Sequence, residues 1–271
     1  MGSGNLDTAR NASKPPTSAP EDILAEAQRR IDERAAPERP SGPPPALAER
    51  LTRAVHRLAR HWLAIFNTLA GLYIGGALLP PVLIKLGRTG IANALYAFYS
   101  LMCHQYPFRS WFLFGQRFAY PLTESIPVLE MNALRHFVGD PVTGYKMALC
   151  QRDIAIYGVI FLAGLGYALV RKKRDMRPWP LWAYFVFGIM PMMLDGGIQW
   201  ISYLAWTPLH LIPQPFETIP LMRTLTGALF GFGVVATAYP YMNEYFADVA
   251  ETVQRKLDNL SEERVSHTLG E

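Results

Sequence analysis

The residues able to do chemistry sit mainly in two short stretches. Cys103-His104-Gln105-Tyr106-Pro107-Phe108-Arg109-Ser110 carries a thiol, an imidazole, an amide and a guanidinium, and Cys150-Gln151-Arg152-Asp153 carries the second of two cysteines. Thiolate, imidazole and carboxylate donors together suit a zinc, iron or copper ion, with Cys103, His104, Cys150 and Asp153 as the ligand set. No Cys-x-x-Cys or His-x-x-His pair is present, so spacing does not select a metal. A Cys103–Cys150 disulfide on an oxidising face is an equal alternative. A cysteine activated by His104 and inert polar packing are two others. Whether the chain is an enzyme stays open.

A second set of polar groups lies inside apolar sequence. Asp195 and Gln199 share a helical face at i and i+4 within Pro191-Met-Met-Leu-Asp195-Gly196-Gly197-Ile-Gln199. A carboxylate in lipid costs several kcal/mol unless paired or wetted, which makes Asp195 a site candidate. Arg223 is close enough in depth to pair with it; a wet cavity walled by Gly196, Gly197 and Gln199 is the other reading. Tyr157 falls on the helical face of Cys150 and Asp153, and Lys146 lies one turn earlier.

These groups must be held by membrane helices. The 271 residues are 50% hydrophobic and 18% charged, and the charge concentrates in blocks: before about residue 60, at 171–177, and after 244. A stretch of ~20 apolar residues crosses a hydrocarbon core of ~30 Å. Four stretches qualify: 62–86, 148–170, 180–206 and 221–241. Arginines at 50, 53, 57 and 60, and the run Arg171-Lys172-Lys173-Arg174, mark the cytoplasmic side. Both termini are then cytoplasmic in a multi-pass protein of the cell membrane, and Cys150 is at the outer end of its span. No apolar run occupies the first 30 residues, so no cleavable signal peptide is expected.

Parity requires an even number of crossings between 87 and 147. The helix expected over 89–104, ended by Pro107, is too short to span and is read as lying in the outer interface or dipping into it. Residues 116–147 then form an external loop with a short helix near 128–137; two tilted spans are the alternative. The expected fold is an all-α polytopic bundle of about four spans plus this outer helix. Four segments follow: a disordered cytoplasmic arm (1–46) with a short helix at 21–35, an interfacial amphipathic helix (47–61), the membrane bundle (62–241), and a cytoplasmic helix and tail (242–271). In the last, Met242, Phe246, Val249, Val253, Leu257 and Leu260 form a stripe. That stripe could form a homodimer, meet a membrane-complex partner, or pack on the chain's own N-terminal arm. The bilayer is the expected partner. The net charge of +4 follows from membrane anchors and does not point to nucleic acid.

The chain resembles a family of small multispanning bacterial membrane proteins, the domain-of-unknown-function 2085 family. The resemblance covers about 60–240 and rests on Cys103-His104-Gln105-x-Pro107-x-Arg109-Ser110, Gly115, Cys150-x-Arg152-Asp153 through Ile156-Tyr157-Gly158, Pro191 through Asp195-Gly196 to Gln199, and Arg223-x-x-x-Gly227. Two departures stand out. The interval from Gly115 to Cys150 is long for the family, and Asp153 stands where many members have another cysteine, which implies a harder metal site. The resemblance supports a site and carries no activity. Three functions remain: a metal or redox module using the Cys/His/Asp cluster; a carrier or binding protein for a lipid or anionic headgroup received by Arg109, Arg152 and Arg223; and an accessory subunit of a larger membrane complex.

Overall fold

The computed structural model describes residues 29, 46–122, 131–174, 176–206 and 209–269. The expected helix at 21–35 falls, but for Arg29, outside them. Glu49–Glu271 forms one compact unit.

Helix α1, Ala46–Lys85, runs unbroken from the arginine-bearing stretch into the first span. Its 40 residues give ~60 Å at 1.5 Å per residue, twice the hydrocarbon core, so the arginine turns extend beyond it. Its buried seam is Ala59, Trp62, Leu63, Asn67, Ile74 and Ala77, at spacings near three and four, while Phe66, Leu69, Leu72 and Leu79 are exposed. Helix α2, Thr89–Ser100, follows a turn at Gly87 (φ +74°). It is too short to span, as expected, and ends four residues before His104 rather than at it. Tyr99 hydroxyl donates to Tyr73 carbonyl at 2.5 Å, tying α2 to the C-terminal half of α1.

Between α2 and the second span the chain makes a sheet that hydropathy did not reveal. Strands β1 (Ser110–Leu113), β2 (Gly139–Asp140) and β3 (Gly144–Cys150) are antiparallel in the order β1-β3-β2, with Ser110 opposite Cys150 and Phe112 opposite Lys146. The β2–β3 turn is set by Asp140, whose carboxylate accepts from the N–H of Val142 (2.7 Å) and Thr143 (2.8 Å), and by Gly144 at φ +79°. These two backbone donors hold the Asp140 carboxyl below its usual range. Helix α3, Met131–His136, precedes β2.

The other spans are α4, Gln151–Val170; α5, Leu181–Tyr184, which continues through a wide π turn at Phe185–Ile189 into α6, Met190–Trp206; and α7, Pro220–Leu269. Among the described residues, four helical segments are long and apolar enough to cross a membrane: Leu47–Lys85, Gln151–Val170, Leu181–Trp206 and Pro220–Glu262. Most of their apolar surface faces outward, Leu162, Leu169, Phe187, Met193 and Ile201 among it, which suits lipid and not water. The class is therefore the all-α membrane bundle expected, with a small sheet at one end.

Glycines set the helix pairing. A Cβ on Gly227 would stand 2.7 Å from the Arg152 carbonyl, and one on Gly231 2.5 Å from that of Ile156, so α7 lies directly on α4. The matches 152–227, 156–231 and 171–243 rise together, so α4 and α7 are parallel; Arg171 donates to Asn243 at 2.6 Å at the far end. Asp195–Thr226 and Tyr184–Gly233 contacts make α5–α6 antiparallel to α7. The core has two parts. Trp62, Leu63, Tyr167, Val235 and Tyr239 fill one end, with Met242 and Phe246 of the C-terminal stripe packed on them. Ala77, Tyr96, Tyr99, Ala148 and Leu149 fill the other.

Candidate functional site

Strand pairing brings the two cysteine stretches together. Cys150 ends β3 and caps α4, its sulfur accepting from the Asp153 N–H at 3.5 Å. After α2, Gln105 takes a left-handed conformation (φ 55°) and turns the chain back, its buried side chain donating to the Tyr96 carbonyl at 2.8 Å. The Cys103 and Cys150 sulfurs and an Asp153 carboxylate oxygen lie within 4.8 Å of one another. They border a cavity of about 130 Å³ also lined by His104 and Arg109.

Both cysteines are free and partly buried. The Cys150 thiol donates to Cys103 and, with the N–H groups of Gln105 and Cys150, holds the Cys103 thiol below its usual range against burial and the Asp153 charge. Cys150, which donates that proton, is pushed well above its usual range, and burial and Asp153 add to the rise. The Asp153 carboxylate has no ion-pair or hydrogen-bond partner among the described residues.

Of the four residues read as metal ligands, the structure gathers three. His104 is exposed and its ring stacks on Tyr106 at 5.8 Å, so its nitrogens are not among the converging donors. The helix that would have aimed it ends too early. Tyr157 is also outside the set: its ring packs edge-on against Tyr73 at 4.6 Å.

Beside the thiols runs a charged network. Arg152 Nη2 donates to Asp195 Oδ2 and, at 3.2 Å, to Gln199 Oε1. Thr226 hydroxyl reaches the same Asp195 oxygen at 3.2 Å. Gln199 Nε2 passes the network to Glu217 at 2.6 Å. Glu217 accepts from Arg109 Nε at 3.0 Å, from Arg223 Nη2 and from the Tyr203 hydroxyl at 2.6 Å. Burial alone would lower the Arg109 pKa, but Glu217 outweighs it and the net shift is upward. Arg223, 2% exposed, also donates to the Phe108 carbonyl (2.9 Å) and to Gln151 Oε1 (3.2 Å).

Asp195 therefore pairs with Arg152, not Arg223. Arg223 is enclosed by Glu217 and backbone and is not available to a headgroup, which leaves Arg109 and Arg152 of the three arginines named for that role. Glu217 is not among the residues that spacing singles out; it lies in the stretch before α7 and becomes part of the site only as the acid that Arg109 and Arg223 share. Nor does spacing give Lys146 a role. Lys146 is 1% exposed, on the inner face of β3, and Nζ donates to the carbonyls of Gln105 and Arg135, both at 2.7 Å. Burial lowers its pKa to about 7; Cys103 opposes the shift and Arg135 adds to it.

Residues 141–237 match the model of a family described as predicted membrane protein (DUF2085). The matched window holds Cys150, Arg152, Asp153, Asp195, Gln199, Glu217 and Arg223, and excludes Cys103 through Arg109. The uncharacterized protein MJ1492 of Methanocaldococcus jannaschii is 27% identical over 192 residues, covering 69% of this chain and 96% of that one. The resemblance drawn from the motifs is thus shown, and it is to a membrane protein without an assigned activity. No solved structure matches the chain.

Proposed function

We propose that this membrane protein binds a thiophilic divalent metal ion, with zinc, iron or copper as the class, through Cys103, Cys150 and Asp153 at the outer end of the bundle. The observation that carries the reading is the convergence of three donor atoms within 4.8 Å, one from a carboxylate with no other partner among the described residues. Metal–ligand distances of ~2.0–2.3 Å put tetrahedral donors ~3.5 Å apart, so a contraction of about 1 Å closes the site. Two thiolates and a carboxylate bring three negative charges, one more than a dication neutralises. Three protein ligands leave one coordination position open, as in metal sites that act on a substrate and not those that only brace a fold. The basic clusters at Arg50–Arg60 and Arg171–Arg174 lie at the opposite end from the cysteines, which supports cytoplasmic termini and an outward-facing site.

Metal analysis of the purified chain tests this. Close to one equivalent is expected in wild type, and a loss in Cys103→Ser. A metal-free wild type whose intact mass is short by two hydrogens would establish the disulfide instead.

A further inference from the structure

Two cavities meet along the outward face between α4 and α6. The first, about 290 Å³, is lined by His104, Arg109, Gln199 and Tyr203; the second, about 500 Å³, by Ile156, Met192, Met193 and Gly197; Arg152, Gly196 and Trp200 border both. The joined groove is polar at the end nearest the loops and apolar below. We propose that it seats one anionic phospholipid, with the phosphate against Arg152 and Arg109 and an acyl chain along Ile156, Met193 and Gly197. This is independent of the metal reading.

Unfilled donors support it first. Arg109 and Arg223 share Glu217, Arg152 is paired with Asp195 alone among the described residues, and Arg152 keeps hydrogen-bond donors that they do not fill. Its Nη1 lies over Gly196, 3.1 Å from where a Cβ would stand, with no hydrogen bond among the described residues, and its Nε is buried without a partner. Asp153 also borders the apolar cavity, but its oxygen is turned to the two sulfurs. A zwitterionic headgroup would bring a second cation, for which the groove offers only Asp153, the carboxylate already turned to the sulfurs.

Shape supports it next. Nothing lies within 4 Å of a Cβ built on Gly197, so the groove floor is open. Met193 (60% exposed) and Trp200 (66% exposed) flank it on the bilayer side, giving a lipid lateral access, and an indole suits the headgroup level. A free phosphate would use the polar end and leave the adjoining apolar groove to no purpose.

The test is binding of dioleoyl phosphatidylglycerol and dioleoyl phosphatidylcholine to the full chain in detergent, read by native mass spectrometry. The anionic lipid is expected to bind roughly tenfold tighter, and Gly197→Leu, which fills open space, to weaken it roughly tenfold with an unchanged melting temperature. Trp200→Ala removes an exposed wall and should act in the same direction if the leucine variant fails to fold. Equal affinity for the two lipids overturns the proposal, as does a variant that binds like wild type. Deacylated glycerophosphoglycerol competing at the same concentration as the whole lipid also overturns it, and reduces the groove to a plain phosphate site.

Discussion

Arg152 of α4 and Asp195 of α6 form the ion pair that joins the thiol pocket to the charged network. Arg152 is adjacent in sequence to Asp153 of the pocket, and its guanidinium bridges Asp195 and Gln199, so consecutive residues of α4 link the two groups. The pairing is fixed by the close contact of Gly227 with the Arg152 backbone, which leaves Thr226 and not Arg223 facing Asp195.

That assignment predicts the outcome of a double-mutant cycle. Breaking a buried pair costs roughly 3–5 kcal/mol, and Arg152, one fifth exposed in its side chain, belongs at the lower end. Asp195→Asn and Arg152→Met should each destabilise the protein in detergent, and the double variant should recover much of the loss. Asp195→Asn with Arg223→Met should show far weaker coupling. The reverse ranking of the two couplings would reject the assignment.

The three-donor site predicts a graded ligand series. Bound zinc should shield both cysteines from maleimide. Asp153→Asn should weaken zinc binding by roughly tenfold or more, while His104→Ala should leave it nearly unchanged. If removing the imidazole were as damaging as removing the carboxylate, the helix end at Ser100 would misplace His104 in this account.

Lys146 predicts a pH dependence. In the fold it loses its proton at about 7, whereas an exposed lysine keeps it to about 10.4. Between these values the unfolded chain binds the additional proton, so stability rises with pH from about 7 towards 10. Melting curves for wild type and Lys146→Met across this range should diverge, with the wild type gaining more. Parallel curves would show that Lys146 stays charged in the fold.

Helix contact predicts unequal tolerance among glycines. Gly231→Leu drives a side chain into the Ile156 carbonyl, and overpacking of this kind costs about 1–3 kcal/mol. Gly75→Leu on α1 meets nothing within 4 Å and should be neutral or mildly stabilising. Thermal unfolding of the two variants separates them, and equal melting temperatures would remove Gly231 from the helix interface.

The linear sequence determined what depends on local composition. Crossing a membrane takes ~20 apolar residues with few charges, a one-dimensional property, so the four spans and the failure of 89–104 to span were readable without a fold. So was the packing role of Gly227 and Gly231, because four-residue glycine spacing places both on one helical face. The partners of charged side chains were not readable, since they depend on how each helix is rotated: the choice of Arg152 over Arg223 for Asp195, and of Glu217 for Arg109 and Arg223, was made by the close approach of α4 and α7. The sheet was hidden for another reason. Its strands are two to seven residues long, and their alternation includes Lys146 on the buried face, which reads as solvent-facing until Gln105 and Arg135 supply carbonyls for it. Cys103, Cys150 and Asp153 met because Ser110 pairs with Cys150, a contact between residues 40 positions apart that only the folded chain brings about.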